Sequence, residues 1–126
     1  MTLVLDSGAL IALERGDRSM WRRLKTALLD EEVPLSHGGV VGQAWRGRGS
    51  RQALLCRALE GVDIRPLDEA LGRAAGELLA LSKRSDVIDA ALVLLASDGD
   101  RILTSDVGDM EPLAHAARLC VDLVPV

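Results

Sequence analysis

Apolar residues occur along the chain in two alternating patterns, short runs and longer stretches with helical spacing. The short runs, each typical of a strand or a brief extended segment, are Leu3–Leu5, Val33–Ser36, Val62–Ile64, Arg101–Thr104 and Val121–Val124. Between them, apolar positions three or four residues apart predict helices, such as the one with Leu71 and Leu78 after the candidate N-cap Asp68. Gly38–Gly39 mark a break before a short third helix over Val40–Arg46.

Strands separated by helices favour a parallel sheet, because each connection has to cross a face of the sheet to reach the start of the next strand. The expected fold is therefore α/β, with three layers and a central parallel sheet flanked by helices. Residues 1–126 contain no internal repeat, linker or low-complexity segment, and this length suits one domain. We expect a single domain over the whole chain.

Composition excludes several classes of protein. With 48% hydrophobic and 27% charged residues the chain resembles neither a disordered nor a membrane protein, and its longest apolar run, Ala90–Ala96, is far too short to span a bilayer. Residues 1–5 lack the basic segment of a secretion signal, so we expect a cytoplasmic protein with no membrane partner. Cys56 and Cys120 are too few for a disulfide framework, and we expect both in the core. The two Trp residues, with no Phe or Tyr, argue against a surface that stacks many bases.

Charge is distributed unevenly. Residues 1–63 carry nine basic and eight acidic groups, whereas residues 64–126 carry six basic and eleven acidic groups. Between Asp86 and Glu111, seven carboxylates face a single Arg. This acidic excess is the first indication of function.

The acidic residues stand where strands end and helices begin. Asp6 directly follows the first strand, and Asp106 follows a later strand at the start of another helix. Because the carboxyl ends of parallel strands meet at one edge of a sheet, we expect both carboxylates there. Asp86 and Asp89 lie one helical turn apart on one helix face, and Asp109 follows Asp106 at the same spacing. Four or five acids can therefore meet in one pocket.

A carboxylate cluster without Lys or Arg partners repels itself and is tolerated where a divalent cation binds. Oxygen donors without paired Cys or His favour a hard ion, Mg²⁺ or Mn²⁺, over zinc. Such ions suit phosphodiester hydrolysis, because they lower the pKa of a bound water and stabilise the leaving oxygen. A purely structural role stays open, since Asp6 and Asp86 can cap helices and Asp89 and Asp109 can complement helix dipoles.

Three segments resemble the acidic motifs of PIN-domain ribonucleases, in particular VapC-type toxins of toxin–antitoxin pairs. They are Val4–Leu13, Asp86–Val93 and Ile102–Asp106, and their order and spacing agree with that family over essentially the whole chain. The resemblance implies a PIN-like domain with Mg²⁺- or Mn²⁺-dependent endoribonuclease activity on an RNA substrate. It also implies a homodimer that a cognate antitoxin protein neutralises.

The resemblance also assigns roles to residues. Asp6, Asp89 and Asp106 would be catalytic. The metal ligands would be Asp6, Asp86, Asp89, Asp106 and Asp109, with either Asp86 or Asp89 as the main middle ligand and Asp89 preferred. Members of the family usually carry a Glu on the third helix, where this chain has Gln43. A neutral amide offers only a carbonyl oxygen or an N–H donor, so a catalytically weak or inactive binding module is the alternative.

Residues near the acidic motifs suggest supporting and binding roles. Ser7 and Thr104 can orient the acids through hydroxyl hydrogen bonds, or they are plain turn hydroxyls. Arg46, Arg48 and Arg51 lie in a stretch without acidic residues. They can bind an RNA backbone, or they form a solvated helix face.

Other features leave alternatives open. Trp21 on the second helix and Trp45 on the third exceed what one small sheet face needs, so they either belong to an apolar groove for an antitoxin helix or pack in the core. His37 and His115 stand alone, and ordinary surface or core positions are favoured over a general base. A receiver-like phosphoacceptor domain also gathers acids at strand ends, but neither of the two lysines follows a late strand.

Overall fold

The computed structural model describes residues 1–126 as five strands and seven helices. The strands are β1 (Leu3–Leu5), β2 (Leu35–His37), β3 (Asp63–Arg65), β4 (Arg101–Thr104) and β5 (Asp122–Pro125). The helices are α1 (Ser7–Glu14), α2 (Arg18–Leu29), α3 (Gly38–Ala44), α4 (Ser50–Leu59), α5 (Glu69–Ser82), α6 (Val87–Leu95) and α7 (Val107–Ala116). The alternation of strands and helices confirms the predicted α/β class.

All five strands are parallel and lie in the order β3-β2-β1-β4-β5. Val4 in the central strand β1 pairs with Leu35 of β2 on one side and with Ile102 of β4 on the other. The chain runs outward from β1 to β3 and then returns past β1 to β4. The strand order therefore reverses between β1 and β4, and ligands of open parallel sheets bind outside the carboxyl ends of the strands at such a switch point.

The helices form two groups. Helix α1 packs against α2, α3 and α4, whereas α5, α6 and α7 pack against one another. Because crossover connections are right-handed, the outward path places the first group on one face of the sheet and the return path places the second group on the other. The predicted three layers are confirmed, and Leu5, Ile102 and Leu103 are fully buried between them. None of the seven helices has both the length and the apolar character needed to cross a bilayer.

The third helix begins two residues earlier than predicted, at Gly38, and ends at Ala44. The side chain of His37 explains the early start, since its Nδ1 accepts a hydrogen bond from the N–H of Gly39 at 3.1 Å and caps the helix. A Cβ at position 39 would collide with the side chain of Ile88 on α6. The glycine that looked like a helix break is therefore required by packing between α3 and α6.

The expectation that both cysteines are core residues is wrong, because Cys56 and Cys120 are exposed free thiols. Cys56 lies on the outer face of α4, whereas its neighbour Leu55 is fully buried. Cys120 lies in the loop before β5, where its backbone N–H donates to the carboxylate of Asp98 at 2.9 Å.

Candidate active site at the carboxyl edge of the sheet

Asp6 stands at the switch point, directly after β1, and both of its carboxylate oxygens accept backbone hydrogen bonds. Its Oδ1 accepts from the N–H of Ala9 at 3.0 Å and caps α1, and its Oδ2 accepts from the N–H of Ser105 at 3.1 Å. Only 5% of Asp6 is exposed. The carboxylate therefore joins the turn after β1 to the turn after β4 and is held in one orientation.

Asp86 and Asp106 also cap helices, and each uses one oxygen to do so. The Oδ1 of Asp86 accepts from the N–H of Asp89 at the start of α6, and the Oδ1 of Asp106 accepts from the N–H of Asp109 at the start of α7, both at 3.1 Å. The Oδ2 of each accepts no hydrogen bond from a backbone N–H. The capping role that the sequence left open is therefore present, and it leaves oxygens available to a ligand.

Asp89 is where the acidic residues converge. It lies half-buried in the first turn of α6, and its carboxyl group forms no hydrogen bond within the protein. Burial, together with the charges of the neighbouring carboxylates, raises the pKa of Asp89 to about 6. Those neighbours are Asp86, Asp6, Asp109 and Asp106. A hydrogen bond with the Asp106 carboxyl and the charge of that group raise the pKa of Asp109 as well. The other four predicted carboxylates thus lie within electrostatic reach of Asp89.

The donor chemistry and charge of this edge fit Mg²⁺ or Mn²⁺, because carboxylate oxygens are the ligands that hard divalent cations prefer. The structure contains no group of three or more His, Cys, Asp or Glu side chains arranged to hold an ion by themselves. Mg²⁺ does not need such a cage, since it keeps several waters and is usually held by one or two carboxylates together with substrate phosphates. Asp6, Asp89 and Asp106 therefore fit an ion that is completed by water and substrate.

Two buried polar residues at the end of β2 hold this edge together. The Oγ of Ser36 donates to the carbonyl of Leu5 at 2.8 Å, and the Nε2 of His37 donates to the carbonyl of Ile88 on α6 at 2.9 Å. Burial lowers the pKa of His37, although the bond to Ile88 opposes this shift, and the Nδ1 that accepts from Gly39 has to be unprotonated. His37 is thus a neutral link between β2, α3 and α6. Sequence reasoning missed it, and the only signal was a polar pair that ends an apolar strand.

The predicted supporting residues behave differently from one another. Thr104 is fully buried, and its Oγ1 accepts from the backbone N–H of Asp106 at 2.9 Å, so it positions the backbone of that residue rather than its carboxylate. Ser7 is half-buried and forms no side-chain hydrogen bond with any of the acids. Gln43 is exposed near the end of α3 and forms no hydrogen bond with a carboxylate. Of the two alternatives for Ser7, the structure therefore lacks the hydroxyl contact with an acid.

The three arginines predicted to bind RNA lie at the other end of α1. Arg46, Arg48 and Arg51 are exposed around the loop that joins α3 to α4, and they border an open pocket of about 390 Å³ together with Glu14. Glu14 ends α1, whose eight residues correspond to a length of roughly 12 Å from its start beside Asp6.

The apolar surface of α2 divides between core and exterior. Leu24 is a core residue, whereas Leu29 at the end of the helix is 83% exposed. Trp21 is half-buried, and its indole N–H donates to the carbonyl of Leu13 at 3.0 Å. Beside it, an open cavity of about 300 Å³ lies between α2 and α4 and is bordered by Leu54. Trp45 is 40% exposed, so the alternative that it packs in the core is wrong.

Replacement of Asp89 by Asn tests the repulsion at the site. Because the folded-state pKa of about 6 lies above the ordinary 3.8, ionisation of Asp89 opposes folding, and this cost appears as the pH rises from about 4 to 6. Screening at a half-exposed site reduces the cost to about 1–2 kcal/mol. In EDTA, Asp89→Asn should raise the free energy of unfolding by that amount at pH 7 and leave it unchanged at about pH 4.

Urea denaturation at both pH values measures this difference. Glu77→Gln, at an exposed position on α5, is the matched control and should have little effect at either pH. An equal gain for Asp89→Asn at pH 4 and pH 7 would contradict the electrostatic origin of the effect.

Replacement of Gly8 by Ala tests the close approach that supports Asp6. A Cβ at position 8 would lie 2.5 Å from the Cβ of Ser105 and 2.6 Å from its Oγ. We expect Gly8→Ala to lower the free energy of unfolding by about 1–3 kcal/mol, as overpacking does elsewhere. Gly76→Ala, in open space on α5, should instead raise it by about 0.5–1 kcal/mol. Thermal or urea denaturation measures both, and a neutral Gly8→Ala would show that the two turns are not closely packed.

Comparison with known proteins leaves this site to be interpreted from its own residues. No protein-family model matches the chain, and no curated protein matches it. The assignment below therefore depends on the carboxylate geometry and on the motif resemblance.

Proposed function

We propose that the protein is an endoribonuclease that depends on Mg²⁺ or Mn²⁺, a hydrolase of RNA phosphodiester bonds. The observation that carries this proposal is the convergence of Asp6, Asp89 and Asp106, from the starts of three helices, at the switch point of the sheet. The resemblance to the acidic motifs of PIN-domain ribonucleases supports RNA as the substrate.

Each carboxylate contributes differently. Asp6 is fixed by two backbone N–H groups, so its position is set before any ligand arrives. Asp89 carries the least compensated charge, since it accepts no hydrogen bond and faces four other carboxylates, and it therefore attracts a cation most strongly. Asp106 has one oxygen that accepts no backbone N–H beyond its helix cap. Held by these three carboxylates, a divalent ion would supply Lewis-acid chemistry, which would lower the pKa of a water and stabilise the leaving oxygen.

A cation would also reduce the electrostatic repulsion between the acidic edge and an RNA substrate. RNA phosphates and the acidic edge repel each other, and a divalent ion between them turns that repulsion into attraction. Arg46, Arg48 and Arg51 would then bind phosphates further along the strand, where no ion is required. The acidic edge with its bound cation and the three arginines would together bind a polyanionic substrate.

The motif resemblance extends the proposal to a toxin of a toxin–antitoxin pair, active in the cytoplasm as a homodimer. The open cavity between α2 and α4, bordered by Trp21 and Leu54, is where an apolar segment of a cognate antitoxin would bind. Lys25 and Arg57 stand at its rim and would favour acidic residues in that segment.

A second candidate is a PIN-like binding module with weak or absent catalysis. Gln43 favours it, because a neutral and exposed amide adds no charge to the carboxylate cluster. Such a module would bind its partner without cleaving RNA.

Cleavage of total RNA by the purified, partner-free protein distinguishes the two candidates. We expect discrete fragments with Mg²⁺ or Mn²⁺ and none with EDTA. Asp89→Asn should lower the rate by about 100-fold or more, and the folded state persists because the Asp89 carboxyl accepts no hydrogen bond from the protein and its removal relieves charge repulsion. Asp122→Asn, at the start of β5 and hence at the opposite edge of the sheet, is the matched control and should retain full activity. Intact RNA under every condition would overturn the nuclease and favour the binding module.

A Glu at position 43 tests the departure from the family motif. If α3 delivers this side chain to the carboxylate cluster, Gln43→Glu adds a negative charge and should lower the Mg²⁺ concentration for half-maximal cleavage by roughly 3- to 10-fold, as about 1 kcal/mol of extra attraction would. Gln43→Ala, which adds no charge, is the control. An unchanged metal requirement in Gln43→Glu would show that position 43 lies outside the metal site.

A further inference from the structure

The segment from Trp45 to Gly49 joins α3 to α4, and we call it the arginine loop. Trp45 is 40% exposed, and its Nε1 lies 3.5 Å from the position that a Cβ would take on Gly47. The indole therefore lies beside the loop backbone with part of its surface open to solvent. Gly47 and Gly49 have φ angles of +79° and +99°, so the loop has a shape that other residues adopt only with strain.

The buried side-chain amide of Gln52 fixes the backbone of the arginine loop. Gln52 is 7% exposed, and its Oε1 accepts from the N–H groups of Arg46 at 2.8 Å and Gly47 at 3.0 Å. Its Nε2 donates to Glu14 at 2.6 Å. Because Glu14 ends α1 and Asp6 caps the start of the same helix, the loop keeps a fixed relation to the acidic edge.

Three cations around the loop have no acidic partner. Arg46, Arg48 and Arg51 take part in none of the ion pairs of the structure, and the open pocket that they border has no hydrophobic lining residue. The Nη1 of Arg46 donates to the carbonyls of Gly42 at 3.2 Å and Trp45 at 2.8 Å, which orients the guanidinium and leaves its other N–H groups free. Oriented guanidinium groups without carboxylates suit phosphate oxygens.

We infer that the arginine loop is a binding site for single-stranded RNA, with arginines on successive phosphates and one base stacked on Trp45. This inference deepens the proposed function and rests on it for the choice of RNA. An aromatic ring reaches the face of a base only when that base is unpaired. The guanidinium groups supply the phosphate contacts and Trp45 the stacking contact, so the two kinds of contact occur together in one loop.

The site also sets a minimum length for the substrate. The arginine loop lies roughly the length of α1, about 12 Å, from the acidic edge. At a spacing of about 3.4 Å per phosphate in a stacked strand, this distance corresponds to on the order of four nucleotides. A strand cleaved at the acidic edge would therefore reach the loop only if it continues this far beyond the cleaved bond.

Binding of a uridine homopolymer of about 12 nucleotides tests the inference in EDTA, where the proposed cleavage cannot proceed. Fluorescence anisotropy of the labelled RNA gives the affinity as a function of salt. Three phosphate contacts predict a slope of log K against log salt near −2, and each of Arg46→Gln, Arg48→Gln and Arg51→Gln should reduce its magnitude by about 0.7. Arg73→Gln, at an exposed position on α5, is the matched control and should leave the slope unchanged.

The stacking contact has a different signature from the phosphate contacts. Trp45→Leu should weaken binding roughly 5- to 100-fold without changing the salt slope, and Trp45→Phe should restore most of the affinity because it keeps an aromatic face. A fully paired RNA of the same length should bind at least about 10-fold more weakly than the single strand.

Two results of the binding experiment would overturn the inference. One is unchanged RNA affinity in Trp45→Leu, and the other is an unchanged salt slope in all three arginine variants. The first would show that no base stacks on Trp45 and the second that the arginines bind no phosphate, and the inference requires both contacts. Intact binding without cleavage in any metal would overturn the proposed nuclease alone. Metal-dependent cleavage of short and long strands that is unaffected by the loop variants would overturn the loop alone.

Discussion

The arrangement at the acidic edge depends on one hydrogen bond, from the N–H of Ser105 to the Oδ2 of Asp6. This bond joins the turn after β1 to the turn after β4, across the point where the strand order reverses. It forms only because Gly8 has no side chain and allows Ser105 to come close. Once the two turns are joined, α1 and α7 begin near each other at this edge and then run along opposite faces of the sheet. Asp106 thereby comes within electrostatic reach of Asp89.

At Asp86 and Asp106, helix capping would be compatible with cation binding, because only the Oδ1 of each accepts the capping N–H. Each Asp cap contributes about 1 kcal/mol to its helix and occupies one oxygen. If helix capping were the only role of Asp6, Asp86 and Asp106, Ser or Asn would serve equally well, because these residues cap helices without adding charge. The chain has Asp at all three positions and adds Asp89, whose pKa is raised to about 6 by burial and by the surrounding charges. Repulsion of this kind is unnecessary for the fold, and a divalent cation relieves it.

The sequence was sufficient for those features that depend on connectivity. Asp6 and Asp106 directly follow strands, so a parallel sheet has to bring them to the same edge, and the helical spacing around Asp86 identified a cap. Features that depend on contacts between elements distant in the sequence could not be predicted from it. The bond from His37 to Ile88 joins α6 to the end of β2, and no local pattern encodes it. The pattern predicts Trp45 inside the third helix, whereas that helix ends two residues earlier than predicted and Trp45 lies in an exposed loop.

Helix α1 relates the two charged regions of the molecule to each other. The net charge of −4 conceals an acidic edge at the start of this helix and three unpaired arginines near its end. Asp6 attaches the start of α1 to the sheet, and Glu14 attaches its end to the arginine loop through Gln52. A helix of eight residues is stiff on this length scale, so neither region can move along α1 relative to the other without breaking one of these bonds. Under the proposed function, a strand of RNA carries its phosphates at a nearly regular spacing, so a fixed separation between the acidic edge and the arginines would select substrates by length and by the absence of pairing, without reading any base edge.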